Sequence, residues 1–533
     1  MTTCGEFLVQ QLQAWGVDTV FGIPGVHTVE LYRGLPGSGI RHVTPRHEQG
    51  AGFMADGYAR VSGKPGVCFI ITGPGMTNIL TAMGQAYADS IAMLVISSVN
   101  ERHRLGLGNG YLHELPNQQA LVAGVSAFSH TLMSVEELPA VLARAFAVFD
   151  SQRPRPVHIE LPLDIITASA GHLPVRPRQV MPRPAPDPAT ISAAASRLRS
   201  ARRPLLLLGG GCVAALDEVR ELATRLDAPT ALTINAKGLL PSGHPLLLGS
   251  NQSLLPVRQL AQDADVVLAI GTELGETDYD VVFDGGFELG GELIRVDIDA
   301  QQLTRNHAPS LAILSDAAAA IRALLVELPT PVAAVPSLGA QRTAAVQRQL
   351  AADFSGWAHY RALFDCVLEA LPAARFVGDS TQTVYSGNHL VELDSPRRWF
   401  NASTGYGTLG YGLPAAIGAK LAEPSRAVIS LMGDGGLQFT LPELASAVEA
   451  RVGIIVLVWN NQGYGEIKRY MQRRDITPLG VDIYTPDFIA IARGFGCAAE
   501  RARDYSHLQA LLRAAPDDRP LLIEINEAPP FAP

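Results

Sequence analysis

The stretch Arg426–Gly436, RAVISLMGDGG, decides the fold of this chain. Its apolar part predicts a buried strand, and the glycines around Asp434 predict a tight turn at the end of that strand. A second apolar run, Gly453–Trp459 (GIIVLVW), predicts another strand that leads into Asn460-Asn461. Two such strands joined through a helix are expected to be parallel. Both polar clusters then emerge at the same sheet edge, where ligands bind in open α/β folds.

The segment between the two strands predicts a helix over residues 441–450. Thr440-Leu-Pro-Glu443 has the spacing of a capping box with an early proline. The Asp434 carboxylate, an asparagine carbonyl and the backbone at Gly435 and Gly436 suit a Mg²⁺ ion that carries a diphosphate, because glycine lets the backbone approach closely. The alternative is a pair of ordinary strand-end turns, which the presence of both clusters disfavours.

This pattern resembles the diphosphate-binding motif of thiamine diphosphate (ThDP) enzymes, the superfamily of acetolactate synthase, pyruvate decarboxylase and benzoylformate decarboxylase. The resemblance covers nearly the whole chain and rests on several separated motifs. It implies that the side chains of Asp434 and Asn461 and the backbone carbonyl of Gly463 bind Mg²⁺. It also implies that Gly435 and Gly436 contact the cofactor.

Two proline-rich stretches, residues 173–188 and 328–336, divide the chain into three blocks. The blocks comprise residues 1–172, 190–327 and 340–533, and each alternates apolar strand runs with helical stretches. Together with 47% hydrophobic and only 17% charged residues in a chain of 533, this predicts an α/β protein with doubly wound parallel sheets. By resemblance, the blocks are a pyrimidine-binding domain, a central Rossmann-like domain and a diphosphate-binding domain.

Composition narrows the classes of function. A formal net charge of −9 argues against a nucleic acid as the main partner. No run of about 18 apolar residues predicts a membrane span, and the first residues, MTTCGE, lack the features of a signal peptide. Five scattered cysteines without a CxxC pair are typical of reduced thiols in the cytoplasm. We therefore expect a cytoplasmic protein with no membrane contact.

The segment Arg46–Ala51 (RHEQGA) opens a predicted helix in the first block. Because position 51 is alanine, a zinc-binding HExxH motif is excluded; a surface glutamate favoured by the helix dipole is the alternative. The segment resembles the activating-glutamate motif of the ThDP family, which implies that Glu48 hydrogen-bonds the aminopyrimidine of the cofactor. That bond favours the imino tautomer, which removes the C2 proton of the thiazolium ring.

Three further segments resemble cofactor-binding loops. The glycine-rich segment Ser403–Ala416 implies that the Gly407 carbonyl accepts a hydrogen bond from the 4′-amine and that Leu409 supports the bend of the cofactor. The hydroxyl groups of Ser380 and Thr381, after a short predicted strand, suit the diphosphate end; a helix cap is an alternative that can coexist with this role. Asn78, in the TGPGMTN segment, is assigned to the cofactor by the same resemblance.

The middle block contains Gly209-Gly-Gly211 after the predicted strand Leu205–Leu208, with Asp227 downstream. This approximates a dinucleotide-binding fingerprint. Because Ala214 replaces the final glycine, a tight strand–helix turn is the favoured interpretation. Whether this block binds FAD, as it does in some relatives, stays open.

Several positions are expected to face the substrate if the resemblance holds: Val26, His27, Thr72, His113, Asp278 and Glu466. His27 and His113 are candidate proton donors, and the sequence does not decide between them. Asp278 and Glu466 stand where the benzoylformate decarboxylase branch has a catalytic histidine and an apolar residue. Carboxylates there would repel an anionic side chain and attract a cation, best of all a planar guanidinium.

The stretches Phe21–Leu35, Arg41–Arg60 and Leu112–Gln118 resemble ThDP decarboxylases of 5-guanidino-2-oxopentanoate, the product of arginine transamination. We therefore expect non-oxidative decarboxylation of a 2-oxo acid to an aldehyde and CO₂, in arginine catabolism. An acetolactate synthase-type carboligase is the main alternative, although its residues for a second ketoacid are not evident after Ile467. A flavin-dependent oxidase and a non-enzymatic role are weaker alternatives. Since the family binds ThDP between two chains, the resemblance also implies a homodimer or homotetramer.

Overall fold

The computed structural model describes residues 2–281, 283–329 and 337–532. Residues 330–336 of the second predicted proline-rich stretch therefore lie outside the described residues. The chain forms two compact units. Unit 1 comprises Met1–Met181, Val367–Gln382 and Asn401–Ala532, and unit 2 comprises Pro182–Cys366 and Thr383–Phe400.

The first sheet lies in unit 1 and has six parallel strands in the order β2-β1-β3-β4-β6-β5. Its strands are β1 (Thr19–Gly22), β2 (Arg41–Val43), β3 (Gly66–Ile70), β4 (Met93–Val99), β5 (Phe128–Thr131) and β6 (Val157–Pro162). The helices of this part are α1 (Cys4–Ala14), α2 (Val29–Arg33), α3 (Glu48–Ser62), α4 (Pro74–Ala88), α5 (Gln118–Ala123), α6 (Leu138–Ser151) and α7 (Leu163–Ile166).

The second sheet lies in unit 2, in the order β12-β11-β10-β7-β8-β9. Its strands are β7 (Pro204–Leu208), β8 (Thr230–Leu232), β9 (Leu247–Gly249), β10 (Val266–Ile270), β11 (Glu292–Asp297) and β12 (Leu311–Leu314). The helices along this part are α8 (Pro188–Ser200), α9 (Leu216–Leu226), α10 (Leu255–Asp263), α11 (Glu276–Tyr279), α12 (Ala317–Glu327) and α13 (Leu338–Asp353).

The third sheet belongs mostly to unit 1, in the order β14-β13-β15-β16-β18-β17. Its strands are β13 (Arg375–Gly378), β14 (Trp399–Asn401), β15 (Val428–Gly433), β16 (Ile455–Asn460), β17 (Ala498–Arg501) and β18 (Leu521–Asn526). The helices along this part are α14 (Ala358–Ala370), α15 (Gln382–Leu390), α16 (Gly412–Ala422), α17 (Asp434–Leu437), α18 (Glu443–Glu449), α19 (Gly465–Arg473), α20 (Phe488–Gly494) and α21 (Tyr505–Arg513).

The central strands are mostly apolar because both faces of each parallel sheet are covered by helices. Every residue of β10 (VVLAI) and of β15 (VISLMG) is buried. All five cysteines are free thiols and buried. Among the described residues, no helix is both long enough and apolar enough to span a membrane. The predicted fold class, three doubly wound parallel α/β sheets, is confirmed.

One local prediction, the capping box at Thr440 and Glu443, is wrong. The helix α18 begins only at Glu443, after Pro442, without a side-chain cap. The Thr440 hydroxyl instead donates to the Gly410 carbonyl at 3.0 Å. The Glu443 carboxylate instead accepts from the backbone N–H groups of Arg46 and His47, which are distant in sequence. These donors compete successfully with the local capping geometry.

Candidate active site

The end of β15 and the end of β16 place two predicted metal ligands next to each other. The strands are parallel neighbours, and Gly433 is in register with Trp459. Asp434 follows β15 directly, and Asn461 follows β16 directly. The side chain of Asp434 is 1% exposed, so this carboxylate lies inside the sheet edge rather than in solvent.

Three oxygen-bearing groups converge at this edge. The amide atom of Asn461 that faces the cluster lies 3.1 Å from Asp434 Oδ1 and 2.8 Å from the Gly463 carbonyl oxygen. If that atom is nitrogen, it donates to both oxygens. If it is Oδ1, three oxygens meet without a proton between them, while Nδ2 donates to Gln382 Oε1 at 3.1 Å.

The oxygen-inward arrangement has the dimensions of a Mg²⁺ site. Neighbouring ligands at the octahedral Mg–O distance of about 2.0–2.1 Å lie about 3 Å apart. The spacings of 2.8 and 3.1 Å match that edge length. Among the described residues, no group of three His, Cys, Asp or Glu side chains could hold a metal. The ligand set here is instead one carboxylate, one amide and one backbone carbonyl, which fits a cation that shares its oxygens with a diphosphate.

Burial raises the pKa of Asp434 above its ordinary value, although hydrogen bonds from Thr485 and from the backbone of Asn461 and Gly463 oppose the shift. The Thr485 hydroxyl donates to Asp434 Oδ2 at 3.2 Å. A bound cation would stabilise the ionised carboxylate further, since an opposite charge favours the charged form.

The glycines after Asp434 are required by close contacts. A Cβ at Gly436 would lie 2.6 Å from Asp379 Oδ2, and one at Gly435 would lie 2.6 Å from the ring of Tyr464. On the other side of the strand end, a Cβ at Gly433 would lie 2.8 Å from the Thr381 hydroxyl. The structure therefore brings Thr381 to the same sheet edge as the glycine loop.

Asp379 is a residue of this edge that the sequence analysis did not single out. Its buried carboxylate accepts hydrogen bonds from the backbone N–H of Ser380 at 2.9 Å and of Gly410 at 2.8 Å. Burial raises the pKa of Asp379 to about 6, against the effect of these hydrogen bonds. Its position between the end of β13 and Ser380 was the available signal. The carboxylate fixes the loop that carries Leu409 to the end of β13.

The predicted pyrimidine loop is the glycine-rich segment Ser403–Ala416. Gly407 has φ +76°, a left-handed conformation that favours glycine, and a Cβ there would meet no atom within 4 Å. A side-chain carbon of Leu409 lies 3.8 Å from the position of a Gly436 Cβ. Leu409 and the diphosphate glycines are therefore neighbours in one chain. The Ser380 hydroxyl donates to the Thr408 carbonyl at 3.4 Å, which is a weak contact.

Glu48 is the first residue of α3. His47 caps this helix, its ring accepting from the Gln49 N–H at 3.1 Å. The Glu48 side chain is 9% exposed, and its Oε2 accepts from Asn78 Nδ2 at 2.9 Å. Its Oε1 lies 3.2 Å from the position of a Cβ at Gly75. Asn78 thus orients Glu48. The contact predicted for Asn78 from the sequence was with the cofactor instead.

The pyrimidine loop is also held by a residue of α3. Near the middle of that helix, the Tyr411 hydroxyl donates to Asp56 Oδ1 at 2.5 Å. At 1.5 Å per residue, the helix carries Asp56 about 12 Å from Glu48. This contact of the loop thus lies about two helical turns from Glu48.

His27 and His113 are brought together. Their ring centroids are 5.1 Å apart and the rings are nearly perpendicular. Burial lowers the pKa of His27, and His113 lowers it further. Among the described residues, the Nδ1 atoms of both rings are buried without a hydrogen-bond partner. Neighbouring Val26 is 65% exposed, so this loop presents one apolar and one aromatic side chain.

The predicted substrate residue Thr72 is buried and points to Gln118. Its hydroxyl donates to Gln118 Oε1 at 2.8 Å, and the Gly73 N–H donates to the same oxygen at 3.1 Å. Gln118 Nε2 in turn donates to Glu160 at 2.9 Å. A Cβ at Gly73 would lie 2.7 Å from the His113 carbonyl oxygen. Gln118, which the sequence analysis did not select, therefore fixes the turn beside His113.

The two predicted substrate carboxylates belong to different units. Glu466 lies on α19 in unit 1, where its oxygens lie 3.1 Å from Arg473 Nη2 and 3.7 Å from Arg469 Nη2. Asp278 lies on α11 in unit 2, and its Oδ1 accepts from the Ile234 N–H at 2.9 Å.

Asp278 also has a cationic neighbour. Burial lowers the pKa of Lys237 to about 8, while the charges of Glu392 and Asp278 oppose that shift. The Lys237 ammonium donates to the Val391 carbonyl at 2.7 Å. Part of the Asp278 charge is therefore balanced within the protein, as the Glu466 charge is by Arg469 and Arg473.

The central glycine turn is a tight connection. A Cβ at Gly209 would lie 2.6 Å from the carbonyl carbon of Gly271, so glycine is required where β7 and β10 end. Asp227 ends α9 in the left-handed region and accepts from the Ser337 hydroxyl and, at 3.0 Å, from the Gly339 N–H. Its carboxylate is thus engaged within the protein.

Three models of one protein family match this chain. The N-terminal TPP binding domain of the thiamine pyrophosphate enzymes matches residues 2–121, the central domain residues 191–324, and the C-terminal TPP binding domain residues 379–525. Thiamine pyrophosphate (TPP) is thiamine diphosphate.

Individual relatives cover almost the full length. The chain is 49% identical over 520 residues to a probable 2-ketoarginine decarboxylase of Pseudomonas aeruginosa, covering 96% of this chain and 91% of that protein. It is 34% identical over 521 residues to the large subunit of acetolactate synthase isozyme 1 of Escherichia coli, covering 93% and 88%. It is 30% identical over 572 residues to a probable acetolactate synthase large subunit of Methanocaldococcus jannaschii, covering 99% and 93%. This chain therefore belongs to the thiamine pyrophosphate enzyme family.

Proposed function

We propose that this protein is a Mg²⁺- and ThDP-dependent decarboxylase that converts 5-guanidino-2-oxopentanoate, also called 2-ketoarginine, into an aldehyde and CO₂ without oxidation. The observation that carries the substrate class is the Glu466 carboxylate, whose side chain is 42% exposed, so that its surface pairs with Arg473 and Arg469 can be exchanged for a substrate guanidinium. The name of the Pseudomonas aeruginosa relative, 49% identical to this chain, supports the same substrate. Such an enzyme would act in arginine catabolism, and a cytoplasmic location remains our prediction.

The sheet edge supplies the metal and diphosphate site. Asp434, Asn461 and the Gly463 carbonyl hold Mg²⁺ in the oxygen-inward arrangement, and Gly435 and Gly436, directly after Asp434, lie beside the diphosphate. The spacing of these oxygens, 2.8 and 3.1 Å, supports this assignment. Ser380 and Thr381, at the end of β13, contribute hydroxyl groups at the same edge.

When bound, ThDP supplies an electron sink that allows CO₂ to leave a 2-oxo acid. Glu48, oriented by Asn78 at 2.9 Å, hydrogen-bonds the pyrimidine nitrogen and so favours loss of the C2 proton. Gly407 offers its carbonyl to the 4′-amine, and Leu409 holds the bend. The low exposure of Glu48 and the position of Leu409 beside Gly436 support these roles.

His27 and His113 serve the proton transfer that releases the aldehyde. The low pKa of His27, caused by burial and by His113, keeps that ring neutral near pH 7. A neutral imidazole can pass a proton between its two nitrogens. The exposed Val26 and the turn at Thr72 shape the wall beside the two rings.

Recognition of the guanidinium group falls mainly to Glu466. Its pairs with Arg469 and Arg473 lie on a surface helix, and such pairs contribute only about 0–1 kcal/mol. A substrate guanidinium can therefore replace them at little cost and pair with the Glu466 carboxylate bidentately. Asp278 is the second candidate, with part of its charge already balanced by Lys237.

The complete site requires two copies of the chain. The resemblance implies that ThDP binds between two chains, and within one chain the contact of the pyrimidine loop at Asp56 lies about 12 Å along α3 from Glu48. In this arrangement the Glu48 of one chain serves the cofactor bound by another. We therefore propose a homodimer, or a homotetramer built from such dimers.

The test is a product analysis with ThDP, Mg²⁺ and a panel of 2-oxo acids with cationic, neutral and aromatic side chains. We expect the highest kcat/KM for 5-guanidino-2-oxopentanoate, with the aldehyde as product. The acetolactate synthases among the relatives make carboligation the second candidate. Formation of an acetohydroxy acid from pyruvate would favour that function, and the absence of any preference for cationic substrates would refute the proposed specificity.

A further inference from the structure

The first turn of the Glu48 helix rests on a buried carboxylate from a distant part of the chain. Glu443 Oε1 accepts from the backbone N–H groups of Arg46 at 3.0 Å and His47 at 3.1 Å. Glu443 Oε2 accepts from the Ser446 hydroxyl at 2.6 Å. The Glu443 side chain is 1% exposed. The two backbone donors immediately precede Glu48, so this carboxylate determines where the helix begins.

Gly50 makes room for this carboxylate. A Cβ at Gly50 would lie 2.6 Å from Glu443 Cδ and closer still to Oε1. The carboxyl group therefore occupies the space under the first turn of α3 that any other residue at position 50 would fill. Both the glycine and the glutamate are needed for one arrangement, although they are far apart in sequence.

The electrostatic surroundings fit an anchoring role. Burial raises the pKa of Glu443 to about 7, while hydrogen bonds from Ser446, Arg46 and His47 and the charge of Arg46 oppose that shift. The Arg46 guanidinium itself is directed at the surface, where it pairs with Glu449 at 2.5 Å. The partners of the Glu443 carboxylate are thus backbone N–H groups near a helix N-terminus, which favour an anion.

We propose that Glu443 is a positioning residue for Glu48. By holding the N–H groups of Arg46 and His47, it fixes the first turn of α3 and thereby the direction in which the Glu48 carboxyl points. The inference rests on the proposed role of Glu48 in activating the cofactor. It adds a residue that touches neither the cofactor nor the substrate.

The experiment measures the rate at which the C2 proton of bound ThDP exchanges with deuterium, together with kcat and KM. Glu443→Ala removes the acceptor, and we expect exchange and kcat to fall on the order of 10²-fold, because a displacement of about 1 Å is enough for such a loss. KM should change little. Glu443→Gln keeps an oxygen for both N–H groups and should retain exchange within about 3-fold, since only the charge is lost.

Gly50→Ala tests the same contact by filling the space that the Glu443 carboxyl group occupies. In the native background its Cβ displaces Glu443, so exchange should fall as in Glu443→Ala. In the Glu443→Ala background the space is empty, and Gly50→Ala should cause no further loss. Glu449→Gln, on the same helix, removes only the surface pair with Arg46 and is the matched control with unchanged exchange.

The outcomes separate this inference from the proposed function. Normal exchange in Glu48→Gln would refute the role of Glu48 itself. Slow exchange in Glu48→Gln combined with normal exchange in folded Glu443→Ala would overturn only the positioning role. If Glu443→Ala does not fold, Glu443→Asp, which withdraws the carboxylate by one methylene, replaces it. Additive losses for Gly50→Ala and Glu443→Ala would also overturn the inference.

Discussion

Replacing Arg60 by methionine should destabilise unit 1 strongly. Arg60 lies on α3, where its Nε is 2.6 Å from Asp56 Oδ1 and its Nη2 is 2.6 Å from Asp89 Oδ2. The three side chains are between 0% and 6% exposed. Asp56 also accepts from the Tyr411 hydroxyl, and Asp89 from the Thr404 hydroxyl at 2.8 Å. The guanidinium therefore neutralises both carboxylates, Asp56 and Asp89, that accept hydrogen bonds from the predicted pyrimidine loop.

The expected magnitude follows from this burial. Removing one partner of a buried ion pair leaves an uncompensated charge and typically costs about 3–5 kcal/mol. Arg60→Met leaves two carboxylates without their cation, so we expect the upper part of that range. The affinity for ThDP should fall as well, because the loop around Gly407 loses the fixed positions of both carboxylates.

The loss should depend on pH. Burial already raises the pKa of Asp89 although Arg60 opposes the shift, and removal of Arg60 would raise it further. A carboxyl group with a raised pKa in the folded state stabilises the protein at low pH, and this contribution disappears as the pH rises through that pKa. The difference between native protein and Arg60→Met should therefore widen from about pH 4 to pH 7.

The assay is urea unfolding of the full chain at several pH values, with Lys64→Met as the control. Lys64 pairs with Asp18 at 2.5 Å just beyond the same helix, but both side chains are 49% exposed. Such an exposed pair contributes about 0–1 kcal/mol. Equal losses in the two variants, or a loss in Arg60→Met that does not change with pH, would refute the argument from burial.

Three further predictions concern the active site. Asp434→Asn should raise the Mg²⁺ concentration at the midpoint of ThDP binding by on the order of 10–100-fold or more. An unchanged Mg²⁺ midpoint would argue against this ligand. Glu48→Gln should lower kcat on the order of 10²–10⁴-fold while ThDP still binds, as steady-state kinetics with a binding titration would reveal. Glu466→Gln should lower kcat/KM for 5-guanidino-2-oxopentanoate about 10-fold, corresponding to about 1.4 kcal/mol, and leave neutral 2-oxo acids unaffected. Equal losses for both substrates would exclude charge recognition.

The convergence of Asp434 and Asn461, the candidate metal ligands, could be predicted because both residues follow regular strands directly. Apolar runs mark such strands reliably, and the predicted strand Leu205–Leu208 corresponds to β7 (Pro204–Leu208). Parallel pairing of β15 with β16 then brings Asp434 and Asn461 together without any long-range information. A local pattern was sufficient here, since strand direction and strand neighbourhood determine the geometry.

The contact of Glu443 with the backbone before Glu48 could not be predicted in the same way. The local spacing of Thr440 and Glu443 indicated a capping box, but Glu443 binds backbone groups 397 and 396 positions earlier in the chain. Gln118 likewise holds a turn 46 positions away. The partner of a buried polar side chain depends on which segments pack against it, and spacing along the sequence does not contain that information.

The position of Glu48 at the start of α3 leads, in the proposed dimer, to an expected behaviour of mixed inactive variants. There Glu48 and Asp434 of one chain serve different sites, so a chain carrying Glu48→Gln and a chain carrying Asp434→Asn can form a pair in which one site has both native residues. The other site of that pair carries both substitutions. Two preparations that are inactive alone should thus regain turnover after subunit exchange, and the recovered activity should decline on dilution as the pairs dissociate.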